Sequence, residues 1–176
     1  MRGSFKFFAL AVILMSTELS GGQPARANEL PPMSPVLADK ILVVKSQRKL
    51  YLLKQGQTLR TYNVALGYNP NGPKTTEWDG KTPEGMYSID MKHEGSQFHL
   101  ALRVSYPNAA DKAQAAARGV KPGDDIFIHG EASEGRMLGW MKTRKDWTEG
   151  CIGVTNAEIR EIWSFVKAGT PIEIRP

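Results

Sequence analysis

Only one cysteine, Cys151, occurs among 176 residues, so no internal disulfide can form and no Cys-rich zinc or iron–sulfur site can be built. Histidine is also scarce, with His93, His99 and His129 the only three. They form neither a His-x-x-His nor a His-Glu-x-x-His pattern, so no metal or other cofactor is expected. No Gly-rich phosphate loop follows a strand and opens a helix. No Lys/Arg run interleaved with aromatics is present, which argues against a nucleic-acid partner. Repeats, low-complexity tracts and stalk-like linkers are absent too, and charged residues make up an ordinary 23%. A disordered chain, a collagen and a coiled coil are thereby excluded.

Long apolar runs are missing as well. Phe7 to Met15 is the longest, with nine residues. As a helix it reaches about 14 Å, against roughly 30 Å of hydrocarbon core, so no transmembrane anchor is expected. Arg2 and Lys6 precede this run, and Ala25-Arg26-Ala27 follows it as a small-x-small site. Residues 1–27 therefore read as a signal peptide and the protein as exported. The plainer alternative is a buried N-terminal helix. Removal of 1–27 leaves 20 basic and 17 acidic residues, a mild positive balance suited to an acidic polymer outside the cytoplasm.

Residues 28–39 read as a short Pro-rich linker, and 40–176 as one domain. Ile41–Val44, Lys49–Leu53 and Thr58–Leu66 carry β-rich patterns separated by turn signals, and predict an antiparallel meander. Residues 67–85 form a Gly/Pro/Asn-rich stretch too long for a mere connection. Gly85–Asp90 and Gln97–Ser105 predict two more strands, with His93 in a polar turn between them. Asn108 caps a short helix that Gly119 ends. Asp125–His129 is a short apolar strand that finishes on its histidine. Thr155 and Glu158 form a capping box. Behind it Ile159, Ile162, Trp163 and Val166 share one helical face, with Gly169 at the expected C′ position. Pro171–Arg175 is a last strand. The fold class is mainly β with a few helices (α+β), as a sandwich or barrel.

The chemistry centres on Thr148-Glu149-Gly150-Cys151-Ile152-Gly153. Flanking glycines admit a substrate closely, and a following helix N-terminus favours an anion. A cysteine nucleophile needs a base, and His129, at a strand end before Gly130, is the candidate. Inert burial of Cys151 and a structural His129 are the competing readings. Every histidine precedes Cys151, unlike the papain order.

These residues resemble a known family. His129-Gly130 followed by Thr148-x-Gly150-Cys151 is similar to the signature of the L,D-transpeptidase (YkuD-like) catalytic domain. Leu66-Gly67, Gly80-Lys81-Thr82-Pro83-Glu84-Gly85, Gln97–Leu100 and Leu102–Asn108 extend the likeness toward its YafK-related murein transpeptidase branch. It covers about residues 40–176. The sequence departs from the pattern in having Glu149 where the family has His and Gly153 where it has Asn. A spacing of 21 residues between His129 and Cys151 is also longer than usual.

The resemblance implies a β-sandwich or barrel of the L,D-transpeptidase type. It implies attack by Cys151 on peptidoglycan stem peptides, a thioester intermediate, and transfer to an amine, with His129 as base and then acid. It implies an oxyanion hole from the backbone N–H of Cys151, with Gly150 or a neighbour, and an imidazole oriented by the Gly130 carbonyl. Alternatives within it are a hydrolytic relative, namely a carboxypeptidase or an amidase releasing a wall-attached lipoprotein. A non-catalytic wall-binding module is the remaining alternative. Arg103 either pairs with a stem-peptide carboxylate or sits on a solvated strand face, and Tyr106 goes with it. His99 is either a substrate contact or structural. Trp140 and Trp147, around Lys142, Arg144 and Lys145, form either a lid or ordinary packing.

Overall fold

The computed structural model describes residues 36–132 and 145–176. The signal-peptide reading, most of the 28–39 linker, and Trp140, Lys142 and Arg144 lie outside the described residues.

The chain opens as the expected meander. Strands β1 (Lys40–Val44), β2 (Lys49–Lys54) and β3 (Gln57–Asn63) pair antiparallel. Period-two alternation decides which face is inward. Ile41, Val43, Leu50 and Leu52 are fully buried, and Tyr62 and Val64 are nearly so. Strand β4 (Gly85–Ser96) and strand β5 (His99–Val104) form the next hairpin. Helix α1 (Ala109–Ala117) follows, with a full capping box between Asn108 and Asp111. Then come β6 (Ile126–His129), β7 (Ile152–Gly153), helix α2 (Asn156–Phe165) and β8 (Pro171–Arg175).

The strand order is β3-β2-β1-β8-β4-β5-β6-β7. The last strand therefore sits in the middle, parallel to β1 and antiparallel to β4. Strand β4 is long enough to serve both sides: Gly85–Ser88 pair with β8, and Ile89–Ser96 with β5. The two ends of the order meet. Ala65, just past β3, exchanges two backbone hydrogen bonds of 2.8 Å with Gly153 in β7. The sheet thus curls into a barrel-like closure around one core, which joins Ile41, Leu52, Leu102, Ile128, Ile152, Ile159 and Ile172.

Two local expectations change. Strand β4 does not end at Asp90 but runs to Ser96, so His93 lies on a strand opposite Ala101. Burial along β4 stops at Ile89, and Asp90–Ser96 are held by pairing with β5. Gly169 is not the helix C′ residue. Helix α2 stops at Phe165, and Val166 turns extended so that its side chain enters the core. Gly169 instead forms the turn into β8, donating to the Ile89 carbonyl at 2.7 Å.

Candidate active site

Strands β6 and β7 bring the two sequence-flagged groups together. Their parallel register sets Ile128 beside Ile152 and His129 beside Gly153. Phe127 consequently lies next to Cys151, and its backbone N–H donates to Sγ at 3.4 Å. Cys151 and His129 line the same cavity of about 370 Å³, walled by Phe98 and Phe127 with His93 at its rim.

The imidazole is held on three sides. His129 Nδ1 lies 2.7 Å from the Gly130 carbonyl oxygen, which requires the proton on Nδ1 and leaves Nε2 as an acceptor. The Phe98 ring centroid is 4.4 Å away, and Trp147 meets the imidazole edge-on at 5.6 Å. Trp147 explains one departure from the family pattern. A Cβ at Gly153 would come within 2.6 Å of the Trp147 ring, so glycine there is the condition for the indole to reach His129. Arg48 fixes the Trp147 segment through a two-pronged contact with Asp146, at 3.0 and 2.7 Å. Asp146 also accepts from the Leu66 N–H.

The turn before Cys151 is set by Thr148. Its hydroxyl donates to the Cys151 carbonyl at 2.6 Å and accepts the Gly150 N–H at 3.2 Å. Gly150 has φ +142, and a Cβ there would lie 2.7 Å from the Lys81 carbonyl oxygen. The Gly150 N–H is therefore occupied, whereas no acceptor among the described residues receives the Cys151 N–H.

Burial governs the electrostatics. It pushes the Cys151 thiol up to about 11, with Phe127 N–H and Lys74 pulling down and Glu149 and Asp125 pushing up. It pushes His129 down to about 4, against the opposing effect of the Gly130 carbonyl. Burial thus favours the uncharged form of each group.

A second cavity, of about 200 Å³, is also lined by Cys151, and five of its lining residues are charged. Lys74, Glu77, Trp78, Asp125 and Glu149 line it. Glu149 is thus part of the lining of this cavity and is exposed. This cavity shares Glu77, Gly123, Asp124 and Asp125 with a larger one of about 660 Å³ that Arg103 borders.

The other flagged residues are not brought to the thiol. Arg103 is held by Asp90 at 2.8 Å and lies 3.7 Å from Asp125. Tyr106 is buried, and its hydroxyl donates to the Pro122 carbonyl at 2.6 Å, so its polar atom is spent inside the fold. His99 sits exposed where the β4–β5 hairpin enters β5, with Nε2 3.0 Å from Arg160 on α2. In their place the structure supplies Phe98, Trp147 and Lys74. A lysine in a polar loop reads as solvated, and no local pattern marked it. Trp147 carried a signal in its closeness to Cys151, but not the direction of its ring. Among the described residues no helix is long and apolar enough to cross a membrane, and no group of three or more His, Cys, Asp or Glu is placed to hold a metal.

Residues 38–174 match the family model of the L,D-transpeptidase catalytic domain, YkuD. The Escherichia coli K12 protein YafK, named as a candidate L,D-transpeptidase, is 30% identical over 132 residues, which are 72% of this chain and 46% of that protein. The chain spans about half the length of the curated relatives it matches. Among solved structures, the helical cell shape determining protein Pgp2 of Campylobacter jejuni superposes with a TM-score of 0.59 at 24% identity, over 77% of this chain and 46% of that one. Bd1075 of Bdellovibrio bacteriovorus gives 0.53 at 27% identity, over 78% and 48%.

Proposed function

The chain belongs to the YkuD family of L,D-transpeptidase catalytic domains, and on that premise we propose that it is an exported cysteine acyltransferase acting on peptidoglycan stem peptides. In this reading residues 1–27 direct export, 28–39 are a linker, 40–176 are the catalytic domain, and the site of action is the periplasm. Cys151 attacks the carbonyl of the L,D bond between the diamino acid and D-Ala. The thiol proton passes to His129 Nε2 as the S–C bond forms, which suits two groups whose burial favours the uncharged form. The Cys151 N–H faces the developing oxyanion, and Gly150 serves by admitting the close turn. His129 then gives its proton to the departing amine, leaving a thioester. An acceptor amine reverses these steps, returns the proton through His129, and restores the thiol. The Gly130 carbonyl keeps the imidazole in the required tautomer.

The observation that carries this reading is the shared cavity, where Sγ and a ring locked with Nε2 unprotonated both open to one space. The purified protein and its Cys151→Ala variant, incubated with tetrapeptide muropeptides and with sacculi bearing attached lipoprotein, test it by mass spectrometry. Dimers formed with loss of D-Ala, in the wild type only, are expected. Tripeptide without dimer would make the enzyme a carboxypeptidase, and released lipoprotein an amidase. Turnover retained by Cys151→Ala would remove the mechanism altogether.

A further inference from the structure

The loop between β3 and β4 carries a lysine that this mechanism does not use. The Lys74 side chain is only 5% exposed, and its Nζ lies 3.0 Å from Asp79 Oδ1. It also donates to the Thr76 carbonyl at 3.2 Å. Asp79 takes further hydrogen bonds from the N–H groups of Thr75, Thr76 and Lys81, at 2.8, 3.1 and 3.0 Å. Burial pushes this carboxyl up, but those donors outweigh it and hold the group below its ordinary range. From the other side the Gly123 backbone closes in, where a Cβ would come within 3.0 Å of Lys74 Cε. The lysine is boxed into one place.

That place is the wall of the second cavity that Cys151 lines. Lys74 and Cys151 line this one cavity and Asp79 does not, and the Lys74 charge acts on the thiol. The remaining charged residues of this wall, Glu77, Asp124, Asp125 and Glu149, are all acidic. His93 and His129 line the other cavity. Negative charge on Sγ is opposed by the acids and by burial, and Lys74 is the one cation among the described residues lining the second cavity. A buried ion pair kept only to hold a loop is replaceable by apolar packing without loss. Lys74 differs in lining a cavity that it shares with Cys151.

We propose that Lys74 is a positioning residue of this site, whose fixed positive charge stabilises the negative charge that develops on Cys151 Sγ as the thiol proton passes to His129. This rests on Cys151 as the nucleophile. The bookkeeping is complete within the site: the S–H bond breaks, the proton goes to Nε2, and the electron pair on sulfur forms the bond to the acyl carbon. Lys74 gives up nothing.

The test uses the full chain, in which Cys151 is the only thiol. Wild type, Lys74→Met and Lys74→Arg are modified with two methanethiosulfonates of similar size, one anionic and one cationic. The ratio of their rates reports the potential at Sγ, because a change in access moves both together. In Lys74→Met the anionic-to-cationic ratio is expected to fall about tenfold, since the two reagents feel the lost charge in opposite directions. Alkylation by neutral iodoacetamide at pH 8.5 is expected to slow by about threefold, because a thiol pKa raised by about one unit cuts the thiolate fraction about tenfold and the greater nucleophilicity of that thiolate recovers only part of the loss. Lys74→Arg keeps the charge and should stay near wild type. A ratio unchanged in a folded Lys74→Met protein overturns the proposal, and so does an equal change in the Met and Arg variants. If Lys74→Met does not fold, Lys74→Gln, which keeps a donor for Asp79, takes its place. No peptidoglycan is involved, so failure here leaves the transpeptidase reading standing. A wild-type thiol inert to every reagent would instead remove the nucleophile itself.

Discussion

His129 shows how one burial serves two ends. Enclosure between Phe98 and Trp147 orients the ring, and the same enclosure makes its charged form costly. Its pKa is held near 4 against 6.5 in an open chain, so folding favours the neutral imidazole. The stability linked to this group is whole above pH 6.5 and is lost as pH falls toward 4, where the unfolded chain binds a proton that the folded one refuses. The loss across that window amounts to about 3 kcal/mol. Urea unfolding between pH 7 and 4 should show this slope in the wild type and lack it in His129→Gln. Equal slopes in both would mean that His129 titrates normally when folded. Cys151 and His129 were legible in the sequence because both are rare residue types in marked local settings. Arg103, Tyr106 and His99 were flagged from the same stretch of strand, but strand pairing and hydrogen bonding turned them to Asp90, Pro122 and Arg160.

At the scale of elements, the long loop between β3 and β4 does more than connect. The Thr82 hydroxyl accepts the Gly67 N–H at 3.0 Å inside the protein. Lys45, from the end of β1, reaches into the loop with its side chain 3% exposed. It donates to the carbonyls of Gly72 and Thr82 and to the Glu84 carboxylate, at 2.7, 3.0 and 2.8 Å. The glycine–threonine motif is thus a brace that holds the polar wall of the candidate site. Lys45→Met would strand a buried carbonyl and a mostly buried carboxylate, with an expected loss of about 3 kcal/mol. Urea unfolding measures the loss, and limited proteolysis should show cleavage between residues 67 and 84 rising with it. A loop as resistant as in the wild type would mean that the brace is elsewhere. The motif was visible in the sequence, but its partner lies 37 residues from Thr82, beyond any local pattern.

At the scale of the whole molecule, β8 decides whether there is one core or two. It is the last strand in the chain, yet it bonds to β1 on one side and β4 on the other. Ile172 and Ile174 are 0% and 2% exposed. Ile172→Ala is expected to cost about 3 kcal/mol. Because that strand joins both halves, unfolding should stay a single transition. Far-UV circular dichroism and tryptophan fluorescence should give the same lowered midpoint. Separate midpoints would mean that the halves unfold independently.

The residues alone determined the mainly β fold class, the three-strand opening and both capped helices, and marked Cys151 and His129 as the candidate pair. Those features rest on local periodicity, on caps a few residues long, and on the scarcity of reactive side chains. Tertiary structure alone decided that the C-terminal strand lies at the centre, that the sheet closes through Ala65 and Gly153, and that Trp147 occupies the space over Gly153. It alone set Lys74 in the wall of a cavity that Cys151 also lines, and turned Tyr106 inward. Each of these depends on a contact between residues far apart in the chain, where direction and burial are fixed by packing and leave no periodic trace in sequence.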